Sequence, residues 1–340
     1  MLDKNNTQIS QKILNTIKKS QNILLCLHPS PDEDSLGSNL AMYSWLKSIG
    51  KNPTVIKGDS ELKNRPTVFS EYSSIVLKNI FEINISDYDL FISLDAASYS
   101  QISKRDDASK ILSQIPVIVI DHHPHNDIIS SNKLNDPQSA ATCELVFDLF
   151  KKWKVKITEN IAVCLYFGIF SDTSGLINSN TTAKVFSKCG QLIKKISNLY
   201  ELTSIYSFHR QPEEFIFTKL ALDKTKTYFS DQVAISSVSL SDLEKNNLKS
   251  SQASKNSISE FLRTCISWQI TVSLVETETN KCEVSMRSHG PQFDVSQIAR
   301  NLGGGGHVVA AGITIYSDSK TATQKIVNEI AKVCPDLGNP

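Results

Sequence analysis

The chain has 340 residues, a formal net charge of +1 and an ordinary apolar content of 40%. This length allows two domains with cores of normal size. The nearly balanced charge excludes a protein-wide positive potential of the kind that binds long nucleic acid nonspecifically. An anionic ligand therefore has to be bound by local groups, and this favours a small ligand over a polymer.

The N-terminal residues 1–19 are polar and amphipathic and lack the continuous apolar core of a signal peptide. No apolar run in the chain approaches the length of a membrane span. The seven cysteines are widely spread and form no Cys-x-x-Cys pair, which favours reduced thiols. We therefore expect a cytoplasmic protein without a membrane partner.

Short apolar runs alternate with helical patterns in the first half of the chain. Strands are predicted at residues 22–27, 53–56, 90–94 and 117–120, and residues 34–49 predict an amphipathic helix after the first strand. Continuous apolar strands separated by helices are typical of a parallel sheet that is covered on both faces. The predicted fold class is therefore α/β, with an N-terminal doubly wound and mainly parallel sheet.

Three further helical patterns follow the last of these strands. They cover residues 139–153, the segment from Thr158 to a turn at residues 171–175, and residues 181–195. Thr158 is the predicted N-cap of the second helix, because a threonine hydroxyl can accept a hydrogen bond from a free backbone N–H of the first turn.

The pattern changes near residue 215, where a smaller α/β domain is predicted to begin. Its predicted elements, in chain order, are a helix or strand at 215–227, a strand at 232–238, a helix at 253–267, a hairpin of strands at 270–276 and 283–287, a short helix at 294–302, a strand at 313–316 and a helix at 321–333. We assign residues 1–195 to the N-terminal domain, the polar residues 196–214 to a linker and residues 215–340 to the C-terminal domain.

Acidic and imidazole side chains follow three of the predicted strands. Ligands of open α/β sheets gather at the carboxyl ends of the strands. The residues placed there are His28, Asp32 and Asp34 after the first strand, Asp95 after the third, and Asp121, His122 and His123 after the fourth, and Asp172 ends a later helix. Taken singly, Asp95 or Asp172 is more simply a cap or a turn residue, but the whole set indicates a multinuclear metal site.

Metal ions account for this concentration of carboxylates. Crowding several carboxylates without a cation is unfavourable through like-charge repulsion and desolvation. A mixed set of imidazoles and carboxylates suits Mn, Co, Zn or Fe better than Ca or Mg. Two neighbouring divalent ions suit hydrolysis at phosphorus. We expect two divalent metal ions, with Mn²⁺ preferred.

A run of four glycines at residues 303–306 is the second strong signal. Glycine lets backbone N–H groups approach an anion closely, and His307 follows directly. Arg287 lies upstream at the end of a predicted strand and is suited to fork onto a phosphate. We predict a substrate-binding group made of Arg287, Ser288, Gly304, Gly305, Gly306 and His307.

Together these motifs resemble the DHH phosphoesterases with their associated C-terminal domain, of the small oligoribonuclease and pAp-phosphatase type. The first motif lies at residues 28–38, the second is Leu94-Asp95, the third is Asp121-His122-His123 and the fourth is Ser171-Asp172-Thr173. The glycine run with Arg287-Ser288 is similar to the signature of the C-terminal domain, so the resemblance covers nearly the whole chain.

The resemblance implies a role for each site residue. One metal ion would be held by His28, Asp32 and a bridging Asp95, and the other by Asp34, Asp95, His122 and Asp172. Asp121 would orient a neighbouring histidine. His123 would contact the phosphate or protonate the leaving oxygen. The catalytic residues implied in this way are Asp95, Asp121 and His123. The resemblance also implies that residues 215–340 form a substrate-binding domain and that the active site lies in a cleft between the two domains.

The activity implied is hydrolysis of short RNA or DNA oligonucleotides and of 3'-phosphoadenosine 5'-phosphate (pAp). Long duplexes are not expected as partners, and a homodimer is expected by resemblance. Cleavage of cyclic di-AMP or of its linear product pApA is the alternative, because the motifs do not separate these substrates. A nonenzymatic nucleotide-binding module is a third reading, although the expected ligands are all present. Glu33 departs from the family pattern by adding a negative charge beside them.

Overall fold

The computed structural model describes residues 4–59, 67–208 and 211–338. The chain divides into two compact units, Met1–His209 and Arg210–Pro340. This division lies inside the segment 196–214. Within the described residues, no helix combines the length and the apolar character that a membrane span requires.

The N-terminal unit is built on a five-stranded parallel sheet with the strand order β2-β1-β3-β4-β5. Its elements are α1 (Lys4–Lys19), β1 (Asn22–Cys26), α2 (Glu33–Ser48), β2 (Asn52–Ile56), β3 (Leu90–Leu94), α3 (Ser109–Leu112), β4 (Val117–Asp121), β5 (Asn132–Asn135), α4 (Thr142–Lys152), α5 (Glu159–Asp172), α6 (Ala183–Ile193) and α7 (Leu199–Phe208). In this order, the chain changes direction across the sheet between β1 and β3.

Alternate residues of the central strands serve two different cores. Ile23 and Leu25 of β1 point to the face that is covered by the long helices, where they pack with residues of α2, α4 and α5. Leu24 of β1 and Phe91 of β3 point to the other face, which is covered by short turns and α3. Burial on both faces explains why these strands read as continuous apolar runs.

The C-terminal unit contains a six-stranded mixed sheet with the order β10-β11-β9-β8-β7-β6, in which only β7 and β8 are parallel. Its elements are α8 (Pro212–Asp223), β6 (Thr225–Tyr228), β7 (Val233–Val238), α9 (Leu240–Lys245), α10 (Lys255–Leu262), β8 (Ile270–Glu278), β9 (Lys281–Ser288), α11 (Val295–Asn301), β10 (Gly305–His307), β11 (Ala310–Ile315) and α12 (Ser319–Val333).

The predicted architecture is confirmed, with corrections at particular elements. The predicted hairpin is present as β8 and β9, and Thr158 caps α5 by accepting from the Ile161 backbone N–H. The polar segment 196–214 holds α7, whose Leu202 and Ile205 pack on the N-terminal core. The short polar strand β5 has no apolar run and was not predicted.

The glycine run has the composition of a loop, but part of it is a strand. Gly305–His307 forms β10 and pairs with β11. Gly306 has φ +140°, and an added Cβ there would lie 2.5 Å from the Ala310 carbonyl oxygen. Glycine is therefore required at this position by the strand itself, whatever the run binds.

Close packing of α5 against the helices beneath it gives a first prediction. A Cβ added at Gly168 would lie 2.2 Å from Cys143 Sγ and 3.0 Å from Asp34 Oδ1. We expect Gly168→Ala to destabilise the protein by about 1–3 kcal/mol through overpacking. Gly190 is the matched control in α6: its Cβ would meet nothing within 4 Å, so Gly190→Ala should stabilise by about 0.5–1 kcal/mol. Urea unfolding of both variants measures the difference, and a stable Gly168→Ala protein would contradict the packing.

Candidate metal centre

The carboxyl ends of β1, β3 and β4 deliver the predicted metal ligands to one edge of the parallel sheet. His28 follows β1, Asp95 follows β3, and His122 follows β4. The strand order reverses between β1 and β3, and a crevice for ligands forms at such a switch point. The fold therefore explains why residues that are far apart in sequence meet here.

Asp95 lies at the middle of the group. Its Oδ2 is 3.5 Å from His28 Nε2, and its Oδ1 is 3.6 Å from His122 Nε2. The residue is 2% exposed and has φ 57°, a left-handed conformation that non-glycine residues seldom adopt. The strained backbone turns the carboxylate so that each oxygen faces a different histidine.

One set of ligands lies on the Oδ2 side of Asp95. Atoms of His28, Asp32 and Asp95 lie within 4.8 Å of one another, in an arrangement that could hold a metal ion. His28 Nδ1 lies 3.0 Å from the Pro29 carbonyl oxygen, which directs Nε2 towards the carboxylates. Asp32 is the N-cap of α2 and accepts from the backbone N–H of Asp34 and of Ser35.

A second set lies on the Oδ1 side. Asp34, Asp95 and His122 also place ligand atoms within 4.8 Å of one another. Asp172, at the end of α5, has Oδ2 3.2 Å from His122 Nε2. The Asp34 carboxylate is fully buried and accepts two backbone N–H groups, from Thr142 at 2.7 Å and from Cys143 at 2.8 Å.

Asp121 lies beside these two sets and forms a hydrogen bond with His123. Its Oδ1 is 2.7 Å from His123 Nδ1 and also accepts the His122 backbone N–H at 2.9 Å. Its Oδ2 accepts from the Asn126 side-chain amide at 2.7 Å. With both oxygens used in this way, Asp121 can fix the orientation and the tautomer of His123.

The charge state of the buried groups tests whether a cation fits. Burial opposes a charge on His28, but the carboxylates of Asp32 and Asp95 raise its pKa well above the ordinary value. Burial raises the pKa of Asp34, with the charge of Asp95 adding to it, and burial raises the pKa of Asp172 to about 6. These shifts favour the protonated form of each group, an effect that a nearby cation would oppose. Buried imidazole and carboxylate donors fit a divalent transition metal.

The predicted substrate residues lie in the C-terminal unit. Arg287 donates from Nε to Glu260 Oε2 at 3.1 Å and from one Nη to the Ser285 hydroxyl and to the Met286 carbonyl. These bonds hold its guanidinium in one orientation. Ser288 is buried, and its hydroxyl donates to the Gly290 carbonyl at 3.3 Å. A direct contact of Ser288 with substrate stays a prediction.

Some backbone N–H groups of the glycine run already donate hydrogen bonds within the protein. The Gly303 and Gly304 N–H groups donate to the carbonyls of Arg300 and Ala299. Gly305 and His307 belong to β10 and pair with β11. A Cβ at Gly303 or at Gly305 would meet nothing within 4 Å, so both residues face open space. Of these two, Gly305 is the one that belongs to the predicted substrate-binding group.

Sequence reasoning missed the residues that support the ligands. Thr142 donates its hydroxyl to Asp95 Oδ1 at 3.1 Å. Asn180 donates to the carbonyl oxygens of Ala140 and of Asp172, both at 3.1 Å. Asn126 donates its side-chain amide to Asp121. No local motif marks Thr142 or Asn180, because Asp95 and Ala140, to which they donate, are distant in sequence and adjacent only in the folded chain.

The chain is similar to known proteins in sequence and in fold. Residues 22–169 match the N-terminal domain of the DHH family, and residues 231–333 match the DHHA1 domain. A solved structure of an exopolyphosphatase-related protein from Bacteroides fragilis covers 97% of this chain and 98% of its own, with a TM-score of 0.86 at 21% identity. This likeness shows the fold.

Curated relatives match over nearly their whole length. The bifunctional oligoribonuclease and PAP phosphatase NrnA of Thermus thermophilus is 28% identical, over 91% of this chain and 89% of that protein. The protein of the same name from Bacillus subtilis is 26% identical, over 96% and 98%. A probable protein of this name from Streptococcus mutans is 26% identical, over 90% and 93%.

Proposed function

We propose that this chain is a metal-dependent phosphoesterase, because residues 22–169 match the N-terminal domain of the DHH family and residues 231–333 match the DHHA1 domain. Its substrates are short oligonucleotides and pAp. Relatives that match both units carry the name of an oligoribonuclease and PAP phosphatase, which supports this choice of substrates.

The two-sided carboxylate of Asp95 is the observation that carries the proposal. Each oxygen lies within 3.6 Å of the Nε2 atom of a different histidine, His28 or His122. A carboxylate placed in this way suits two cations that share it. In the proposal, the two ions would be Mn²⁺: His28, Asp32 and Asp95 would hold one, and Asp34, Asp95, His122 and Asp172 would hold the other.

The metal ions and the protein side chains have separate roles in the proposed reaction. Divalent ions, when bound, supply the Lewis acidity and the lowered pKa of water that hydrolysis at phosphorus needs. Asp121 fixes the ring of His123 through Nδ1, which directs Nε2 to the substrate as a phosphate contact or proton donor. His123 is thus a catalytic residue in the proposal, and Asp121 acts through it.

The substrate is held by residues of the C-terminal unit in the same proposal. Arg287 supplies a guanidinium that Glu260 and Ser285 keep in place, and such a group binds phosphate oxygens well. Gly305 offers room for a close approach, and His307 follows it in β10. Gly304, Gly306 and Ser288 complete the proposed substrate-binding group.

A substrate panel tests the proposal. The full chain, supplied with Mn²⁺, is incubated with a dinucleotide RNA, a longer RNA, pAp, pApA and cyclic di-AMP, and the products of each are followed in time. We expect rapid loss of the dinucleotide and of pAp, slow loss of the longer RNA, and no turnover after chelation of the metal.

Other results would redirect the proposal in defined ways. Preferential opening of cyclic di-AMP, or preferential cleavage of pApA, would assign the same metal centre to the turnover of that dinucleotide. Tight nucleotide binding without any product would identify a nonenzymatic binding module and would overturn the proposed activity.

A further inference from the structure

The first residue of α4 makes hydrogen bonds to two of the predicted metal ligands at once. The Thr142 backbone N–H donates to Asp34 Oδ2 at 2.7 Å, and its hydroxyl donates to Asp95 Oδ1 at 3.1 Å. These are also the carboxylate oxygens that face His122, at 3.9 and 3.6 Å from its Nε2. Thr142 therefore forms a hydrogen bond with each carboxylate through the oxygen that faces His122.

The start of α4 has no side-chain cap of its own. The N-cap residue is Ala141, which has no polar side chain, so the first N–H groups of the helix need another acceptor. Asp34 of α2 supplies it, since its two oxygens accept from Thr142 and Cys143. The positive end of the helix dipole also favours the negative charge of Asp34. The carboxylate is thereby oriented by the fold itself.

Other buried contacts fix the segment that leads into α4. Glu144 accepts the Ala140 backbone N–H at 2.7 Å, and Lys188 of α6 donates to Glu144 at 2.6 Å. Asn180 donates to the Ala140 carbonyl and to the carbonyl of Asp172, another predicted ligand. The helix start is thus tied to α6 and to the end of α5.

We propose that Thr142 is a positioning residue of the metal centre, which holds Asp34 and Asp95 at the separation that a shared cation requires. The inference rests on the proposed function. Thr142 is fully buried, so it acts through the two carboxylates. Partners that orient metal ligands in this way contribute strongly to metal affinity.

Metal binding to the full chain is the test, measured by calorimetry with Mn²⁺ after chelation of any resident metal. Thr142→Val keeps the shape and the backbone N–H but removes the hydroxyl bond to Asp95. We expect it to weaken Mn²⁺ binding about 10–100-fold. Thr142→Ser restores the hydroxyl and should bind within about threefold of the wild type, a loss clearly smaller than the one expected for Thr142→Val.

Thr225→Val is the matched control. The Thr225 hydroxyl donates to the Ala221 carbonyl at 2.8 Å in the C-terminal unit, so this variant loses a comparable hydrogen bond away from the metal ligands. Its Mn²⁺ affinity should equal that of the wild type. If Thr142→Val does not fold, Thr142→Ser and Thr142→Ala replace it, because the pair differs by the hydroxyl alone.

The outcomes separate this inference from the proposed function. Wild-type affinity in Thr142→Val, or equal affinities of the serine and alanine variants, would overturn the positioning role while leaving the metal centre intact. A wild-type chain that binds no Mn²⁺ would overturn the proposed function itself. Weak binding in Thr142→Val with rescue by Thr142→Ser supports both.

Discussion

Replacement of Asp95 by asparagine is expected to lower kcat for dinucleotide hydrolysis by on the order of 10³-fold or more, because both of the proposed cations would lose a shared ligand. Each Asp95 oxygen faces a different histidine, so the amide nitrogen of the variant removes one ligand atom whichever way it turns. Asparagine tolerates the left-handed backbone at φ 57°, and the change therefore tests the carboxylate rather than the backbone.

Asp89 provides the control for this variant at the opposite end of the same strand. It precedes β3, and its carboxylate accepts the backbone N–H groups of Gln21 and Asn22. Asp89→Asn should leave kcat and the bound metal close to the wild-type values. Metal content and single-substrate kinetics are measured for both variants. Activity of Asp95→Asn within tenfold of the wild type would contradict the bridging role.

Loss of the buried cation at Lys188 is expected to destabilise the protein by about 3–5 kcal/mol. Lys188 lies 2.6 Å from Glu144 and 2.8 Å from Asp148, and it is 8% exposed. Burial opposes its charge, but Asp148 and Glu144 raise its pKa above the ordinary value. The stabilisation is therefore fully present below the ordinary lysine pKa and is lost only as pH rises through the raised one. In Lys188→Met, two carboxylates are left without their partner.

An exposed pair supplies the comparison for Lys188→Met. Lys281 forms an ion pair with Glu278 in the hairpin of β8 and β9, and the Glu278 side chain is 67% exposed. Lys281→Met should cost less than about 1 kcal/mol. Urea unfolding, with hydrogen exchange of the α4 and α6 peptides to assign the transition, measures both. Equal losses would show that the Lys188 pair contributes no more than a surface pair.

Particular residues show where sequence patterns were sufficient. The apolar runs predicted β1, β3 and β4, because strands that are buried on both faces must be continuously apolar. The polar residues directly after those runs then had to meet at one edge of a parallel sheet. His28, Asp95 and His122 come together there as expected.

Other elements carried no pattern that could have predicted them. The strand β5 is short and polar and lies at the edge of its sheet, so it lacks the apolar run of a central strand. The glycine run has the composition of a loop, yet pairing with β11 makes part of it a strand. The helix α7 was missed within a polar segment, although its apolar residues pack on the N-terminal core.

The sequence by itself determined the fold class, the positions of the main strands and the candidate set of acidic and imidazole ligands, because these depend on local periodicity and on residue type. Only the tertiary structure decided the orientation of the candidate ligand side chains. Asp34 is oriented by the backbone of α4, which lies 108 residues further along the chain, and Asp95 by the hydroxyl of Thr142, 47 residues away. Hydrogen bonds of this kind depend on the distance between helices in the folded chain, which no local pattern records.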